Sequence, residues 1–339
     1  MPRNNPPSAA IYGCAGPRLS DEEKRFFTAA DPLGFILFSR NIDSPGQVRS
    51  LVDDLRATVG RRAPVLIDQE GGRVQRLKPP HWRKRPPMAV FGQLAGHDLP
   101  LARRAARLNA RLMAADLAEL GIDVDCAPLL DVPVPGAHDI IGDRAFGLDP
   151  MLVADLGRAV MDGLLDGGVM PVIKHIPGHG RALVDSHLDL PVVDADAATL
   201  AARDFAAFRC LRDAPWAMTA HVVYKAFDER PATISRLVIE QVIRGAIGCE
   251  ALLLSDDLSM KALRGDFGDR ATATLDAGCD VVLHCNGDLA EMRAIAAAVR
   301  PLDDAAEERL ARADTMLRRR PLEDGAQERL DGWLSGGRA

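Results

Sequence analysis

The sequence contains no apolar run approaching the ~20 residues that span a bilayer, so a membrane-spanning helix is not expected. A lipoprotein reading of Cys14 after Ile11-Tyr12-Gly13 fails because no long apolar segment precedes it. Cytoplasm is the expected location. No CxxC pair occurs among the six cysteines (Cys14, Cys126, Cys210, Cys249, Cys279, Cys285), and most sit in apolar runs. That argues against a disulfide framework or zinc ribbon and reads as reduced core thiols. Positive charge is not in excess either: 42 Lys and Arg against 48 Asp and Glu leave a net charge of −6. Neither nucleic acid nor an anionic membrane is an expected partner. No G-x-G-x-x-G follows the first apolar run, which weighs against an open dinucleotide-binding sheet.

What is present is an ordinary globular composition, 47% hydrophobic and 27% charged over 339 residues. That length fits two small domains or one α/β barrel. Eight short apolar runs recur: Ala10–Cys14, Gly34–Phe38, Pro64–Asp68, Asp123–Leu130, Met170–Lys174, Trp216–His221, Ala251–Ser255 and Asp280–His284. Between them the periodicity predicts helices over Ser20–Ala29, Ser44–Thr58, Leu99–Leu120, Met151–Gly167, Ala197–Asp213, Ser235–Arg244 and Ala271–Ala277. Ser20, Ser44 and Asp196 are placed to cap three of them. Eight strands alternating with helices favour a single-domain (β/α)8 TIM barrel over residues 10–339. Residues 1–9 read as a disordered tail, Lys78–His97 as a Pro-rich basic loop, and two helices beyond Arg300 (Asp303–Arg319 and Gln327–Leu334) as packing outside the barrel.

In such a barrel the reacting groups come from the carboxyl ends of strands and the loops that follow. The third run ends in Asp68-Gln69-Glu70-Gly71-Gly72-Arg73-Val74-Gln75-Arg76. A carboxylate that accepts from vicinal hydroxyls beside a guanidinium fork can hold a sugar ring, and an internal Asp68–Arg76 salt bridge is compatible with that role. Arg144 in Gly142–Gly147, downstream of Asp131, reads equally as a binding arginine or a loop staple.

Lys174-His175-Ile176-Pro177-Gly178-His179 leaves the fifth run. The i, i+4 histidines would suggest a zinc face on a helix, but Pro177 and Gly178 argue for a turn that places Lys174 and His175 at the barrel mouth. Asp185-Ser186-His187 is too compressed for a Ser-His-Asp triad, yet Asp185 and His187 can form an acid/base dyad. Asp256 and Asp257 end the seventh run, and with a side-chain period of two only one is expected to face the mouth. Asp257 is the better candidate for a capping role.

Together LFSRN (Leu37–Asn41), IDQEGGRVQRL (Ile67–Leu77), GDRAFG (Gly142–Gly147), KHIPGHG with DSHLDLP (Lys174–Gly180, Asp185–Pro191), MTAHVVY (Met218–Tyr224) and LLSDDLSM (Leu253–Met260) resemble family 3 glycoside hydrolases. The resemblance is to the single-domain bacterial β-N-acetylglucosaminidase (β-hexosaminidase) type, and it runs from about Ala10 to past His284 in the same order. It implies a retaining exo-enzyme that needs no cofactor or metal and acts, as a monomer, on a small sugar substrate. Terminal β-1,4-linked N-acetylglucosamine would be removed from anhydromuropeptides in cell-wall recycling. Asp256 would be the nucleophile, His187 the acid/base and Asp185 its partner, with Asp68, Arg76, Arg144, Lys174 and His175 holding the sugar hydroxyls.

Ile176 stands where that family usually has Phe, and Ala145 where Ser is common. No second α/β domain is expected, so the acid/base must come from a loop of the barrel itself. Two rivals predict different behaviour. A metal-dependent hydrolase built on His175, His179 and an Asp would lose activity with chelator, and a catalytically dead sugar-binding protein would show no turnover. Water and phosphate are both open as the second acceptor.

Overall fold

A computed structural model describes residues 6–136, 139–182, 186 and 189–336. Eight parallel strands form the inner wall: β1 (Ser8–Gly13), β2 (Pro32–Leu37), β3 (Val65–Ile67), β4 (Val124–Asp125), β5 (Met170–Ile176), β6 (Trp216–Thr219), β7 (Leu252–Asp257) and β8 (Val281–His284). Each pairs with its sequence neighbour, and β1 pairs with β8, so the sheet closes into a barrel without edges. The register is direct: Ile11 lies opposite Leu283, Phe35 opposite Val65 and Leu252 opposite Trp216. Parallel neighbours require crossovers, and the intervening helices supply them on the outer face.

All six residues of β2 and all seven of β5 are buried. Such continuous burial is what a strand covered on both faces demands. In β5 it includes Lys174 and His175, polar residues at the carboxyl end of an otherwise apolar strand. The three expected caps are made: Ser20 accepts from the Glu23 amide, Ser44 from Gln47 and Asp196 from Thr199. Asp304–Asp314 and Ala326–Leu334 lie outside the wall, the first tied to it by Arg309 and Asp280 (2.7 Å). Among the described residues no helix is long and apolar enough to cross a membrane.

Several boundaries differ from the sequence reading. β1 begins at Ser8, so Ser8 and Ala9 belong to the barrel and not to a tail. The Ala9 amide donates to Arg300 O (2.9 Å) and Ser8 Oγ to Ala30 O (2.8 Å). The fourth strand, expected over Asp123–Leu130, keeps a regular ladder only at Val124–Asp125. Pro128 has no N–H to continue it, although Leu130 still donates to Lys174 O (2.7 Å). Ala197–Asp213 breaks at Arg203 into two short helices, and Val238–Ala246 is wound as a π-helix. A helix over Leu289–Ala298 was not anticipated.

The segment read as a loop, Lys78–His97, contains a helix over Met88–Ala95. Pro86 and Pro87 sit just before its start, where a fixed φ and a missing N–H suit a helix entry. Met88 and Phe91 bury its inner face, and Gly92 packs directly against the Phe146 carbonyl. Any side chain at Gly92 would collide with that carbonyl.

Candidate active site

At the carboxyl ends of the strands a cavity of about 420 Å³ opens. Its wall is built first by the turn after β3. Gly71 (φ +94°) and Gly72 (φ +58°) adopt left-handed backbone that side chains disfavour, and a Cβ on Gly71 would strike the Pro86 carbonyl. The turn folds Val74–Gln75 back on Gln69–Gly71 and so returns Arg76 to Asp68, Nη2 to Oδ2 at 3.0 Å. Phe38 is flanked by Arg40 and Arg76, each guanidinium 5.1 Å from the ring centre.

Lys174, fully enclosed, bridges two carboxylates: Nζ is 2.8 Å from Asp68 Oδ1 and 2.6 Å from Glu70 Oε1. Arg144 meets Glu70 with a two-point fork, Nε to Oε2 at 2.9 Å and Nη2 to Oε1 at 2.8 Å. Burial alone would raise both acids. The cations outweigh it, holding Asp68 well below the usual carboxylate range and Glu70 at about 2, while Lys174 and Arg144 are held firmly charged.

Removing one partner from such a buried network leaves an uncompensated charge, at a cost of about 3–5 kcal/mol. Glu70→Ala strips Arg144 of its carboxylate and should lower Tm by roughly 4–7 °C by scanning calorimetry. An unchanged Tm would show that the network contributes little.

Asp131 organises the next part of the wall. Its Oδ2 lies 2.7 Å from His175 Nδ1, and its Oδ1 accepts from the amides of His179 (2.6 Å) and His175 (3.3 Å). Burial opposes its ionisation, but His175 and His179 hold it below the ordinary value. A carboxylate on Nδ1 leaves Nε2 as the His175 nitrogen for a bound molecule. His179 is kept neutral, lowered to about 4 by burial and then by His175, and its Nε2 is 3.1 Å from Ser186 Oγ. The two histidines share no helix face, because β5 runs through Ile176. Among the described residues no three His, Cys, Asp or Glu side chains gather as a metal site.

β7 ends in the two acids, and here the alternation rule fails: both Asp256 and Asp257 line the cavity. Pairing between β7 and β8 shifts register between Leu254 and Asp257, an irregularity that turns the strand end. The two carboxylates are still distinguished. Asp257 accepts from the Ser259 amide (3.0 Å), Ser259 Oγ (2.5 Å) and the Cys285 amide (3.1 Å), holding the loop rather than capping a helix. Asp256 Oδ1 accepts the Asp257 amide at 2.8 Å.

One cavity therefore brings together Asp68, Arg76, Arg144, Lys174, His175 and Asp256, drawn from the ends of β3, β5 and β7 and the loop after β4. Asp185 and His187 lie outside the described residues. The model of the glycosyl hydrolase family 3 N-terminal domain matches residues 12–318. The chain belongs to glycoside hydrolase family 3. Within that family it is 41% identical over 280 residues to a β-hexosaminidase of Thiobacillus denitrificans, covering 80% of this chain and 76% of that protein. It is also 41% identical to a β-hexosaminidase of Alkalilimnicola ehrlichii over 300 residues, 87% of this chain and 84% of that one. Among solved structures it superposes with TM-score 0.87 on NagZ from Neisseria gonorrhoeae in complex with N-trifluoroacetyl-D-glucosamine, at 31% identity over 98% of this chain and 99% of that chain.

This family 3 hydrolase also uses residues that sequence reading did not select. Glu70, fully buried, anchors both Lys174 and Arg144. Its signal was the i, i+2 spacing from Asp68, which puts two acids on one side of an extended segment. In the sequence His179 enters only as a ligand of the rival metal site, and Asp131 and the His221 of MTAHVVY carry no signal of the contacts they make here.

Proposed function

We propose that this glycoside hydrolase is a retaining exo-β-N-acetylglucosaminidase, removing terminal β-1,4-linked N-acetylglucosamine from muropeptide fragments in cytoplasmic cell-wall recycling. The observation that carries the reading is the gathering of Asp68, Arg76, Arg144, Lys174 and His175 beside Asp256 in one cavity. The similarity to β-hexosaminidases supports the choice of sugar.

In this reading Asp256 attacks the anomeric carbon while His187 protonates the departing oxygen. A covalent glycosyl-enzyme results. Asp185 orients the imidazole and stabilises its charged form. His187 then takes a proton from water, whose oxygen displaces Asp256 and releases the sugar with its configuration retained. Asp68 stays ionised under Lys174 and Arg76, so it can only accept, which suits sugar hydroxyls. Lys174, Arg76 and Arg144 supply donors at fixed positions around it. No step needs a metal or organic cofactor, and the protein works as a monomer.

The test is hydrolysis of 4-nitrophenyl β-N-acetylglucosaminide, with the β-glucoside and a chelator in parallel arms. Selective turnover that survives chelator is expected. Turnover abolished by chelator would favour the metal hydrolase, and none on either sugar the binding protein. Added phosphate separates the acceptors: free N-acetylglucosamine is expected, and a sugar 1-phosphate would overturn hydrolysis.

A further inference from the structure

Behind the cavity wall, at the end of β6, His221 is completely buried and used by no step above. Its Nε2 lies 3.0 Å from the backbone carbonyl of Asp257, and its Nδ1 lies 2.7 Å from Thr233 Oγ1. Thr233 Oγ1 in turn is 2.7 Å from Thr219 Oγ1. A carbonyl can only accept, so Nε2 carries the hydrogen. Nδ1 then presents its lone pair and the Thr233 hydroxyl donates to it. The Thr219 hydroxyl completes the run by donating to Thr233. The remaining contact of Thr233, to Ala220 O at 3.2 Å, is the longer one and loses the competition for its single hydrogen. Burial lowers the His221 pKa, so the ring is neutral, as this relay requires.

The relay ends on the residue that follows Asp256. Asp257 is gripped at its carbonyl by His221 and, within the turn, by the Met260 amide (3.1 Å), and at both carboxylate oxygens by Ser259 and Cys285. Its one remaining polar backbone group, the amide N–H, points at Asp256 Oδ1 (2.8 Å). With the rest of Asp257 fixed, the direction of that N–H is fixed, and with it one of the contacts that orient the Asp256 carboxylate. We propose that His221, backed by Thr233 and Thr219, is a positioning residue that sets the orientation of Asp256 through the backbone of Asp257. This rests on Asp256 being the nucleophile.

Orientation is where a buried contact of this kind acts on rate. A reacting atom displaced by about 1 Å can cost ~10²-fold without loss of substrate binding. His221→Met fills the space but cannot donate to the Asp257 carbonyl. It should lower kcat about 30- to 100-fold and leave KM within about threefold. His221→Gln keeps a terminal N–H₂ at similar reach and should recover activity to within about fivefold of the parent. Thr233→Val removes the donor to Nδ1 and should cost about tenfold, and Thr233→Ser should restore it.

The deciding experiment is the rate of covalent labelling of the full-length chain by a fluorinated N-acetylglucosaminyl fluoride whose glycosyl-enzyme turns over slowly. Intact mass gives the rate and peptide mapping gives the site. In the parent a label on Asp256 is expected, and a label elsewhere or none would overturn the nucleophile reading itself. With the label on Asp256, labelling of His221→Met should fall in step with kcat. Labelling of that variant at the parental rate, or equal losses in His221→Met and His221→Gln, would overturn the positioning role. Should His221→Met fail to fold, the Thr233→Val and Thr233→Ser pair decides, and equal activity in those two would overturn the relay.

Discussion

Asp256→Ala is expected to lower kcat on N-acetylglucosaminides by about 10⁴-fold or more, because in the proposed mechanism it removes the atom that forms the bond to the sugar. The loss should be confined to chemistry. The Lys174 network that frames the proposed sugar site is built from Asp68, Glu70, Arg76 and Arg144 and does not pass through Asp256. KM should therefore change little, and so should Tm. A small external anion such as azide, entering the space left by the carboxylate, should restore part of the turnover and give a glycosyl azide of inverted configuration. Near-normal turnover of the variant, or rescue with retention, would remove Asp256 from the role.

His187→Ala is expected to divide substrates by leaving group. Protonation of a sugar alkoxide is worth about 10²–10⁴-fold, so hydrolysis of a disaccharide should fall by that factor. A 4-nitrophenolate leaves without help, so kcat/KM for the nitrophenyl glycoside should stay close to the parent. Loss of the base then slows the second half of the reaction, and a burst of nitrophenol should precede a slow steady state. Stopped-flow absorbance would reveal it. Equal losses on both substrates, with no burst, would make His187 a structural residue.

How much of this was legible in the sequence depends on how local the cause is. All eight barrel strands could be found because each is a short apolar run between helical periods, and the caps at Ser20, Ser44 and Asp196 were readable from single side chains. The helix over Met88–Ala95 was lost because the prolines that start it look the same as prolines that forbid one.

At the site, Arg144 staples the loop through Glu70, one of the two alternatives stated for it, and also lines the cavity. The Asp68–Arg76 salt bridge is likewise present in the cavity wall. Glu70 escaped notice because its meaning depends on Lys174, more than one hundred positions away, arriving within 2.6 Å. His221 escaped for the same reason, since its partners belong to β7 and to the segment after β6. A single sequence displays residue types, not these meetings.

The ammonium of Lys174, shared between Asp68 and Glu70, also bears on how this protein can change over generations. Each of the three positions is stabilised by the others. A lineage that lost Lys174 alone would bury two repelling acids, and one that lost Glu70 alone would strand Arg144. Single-step losses are thereby penalised, and departures are favoured when they come with compensating replacements. The trio should be inherited as a block, so drift in substrate preference has to enter through neighbours outside it.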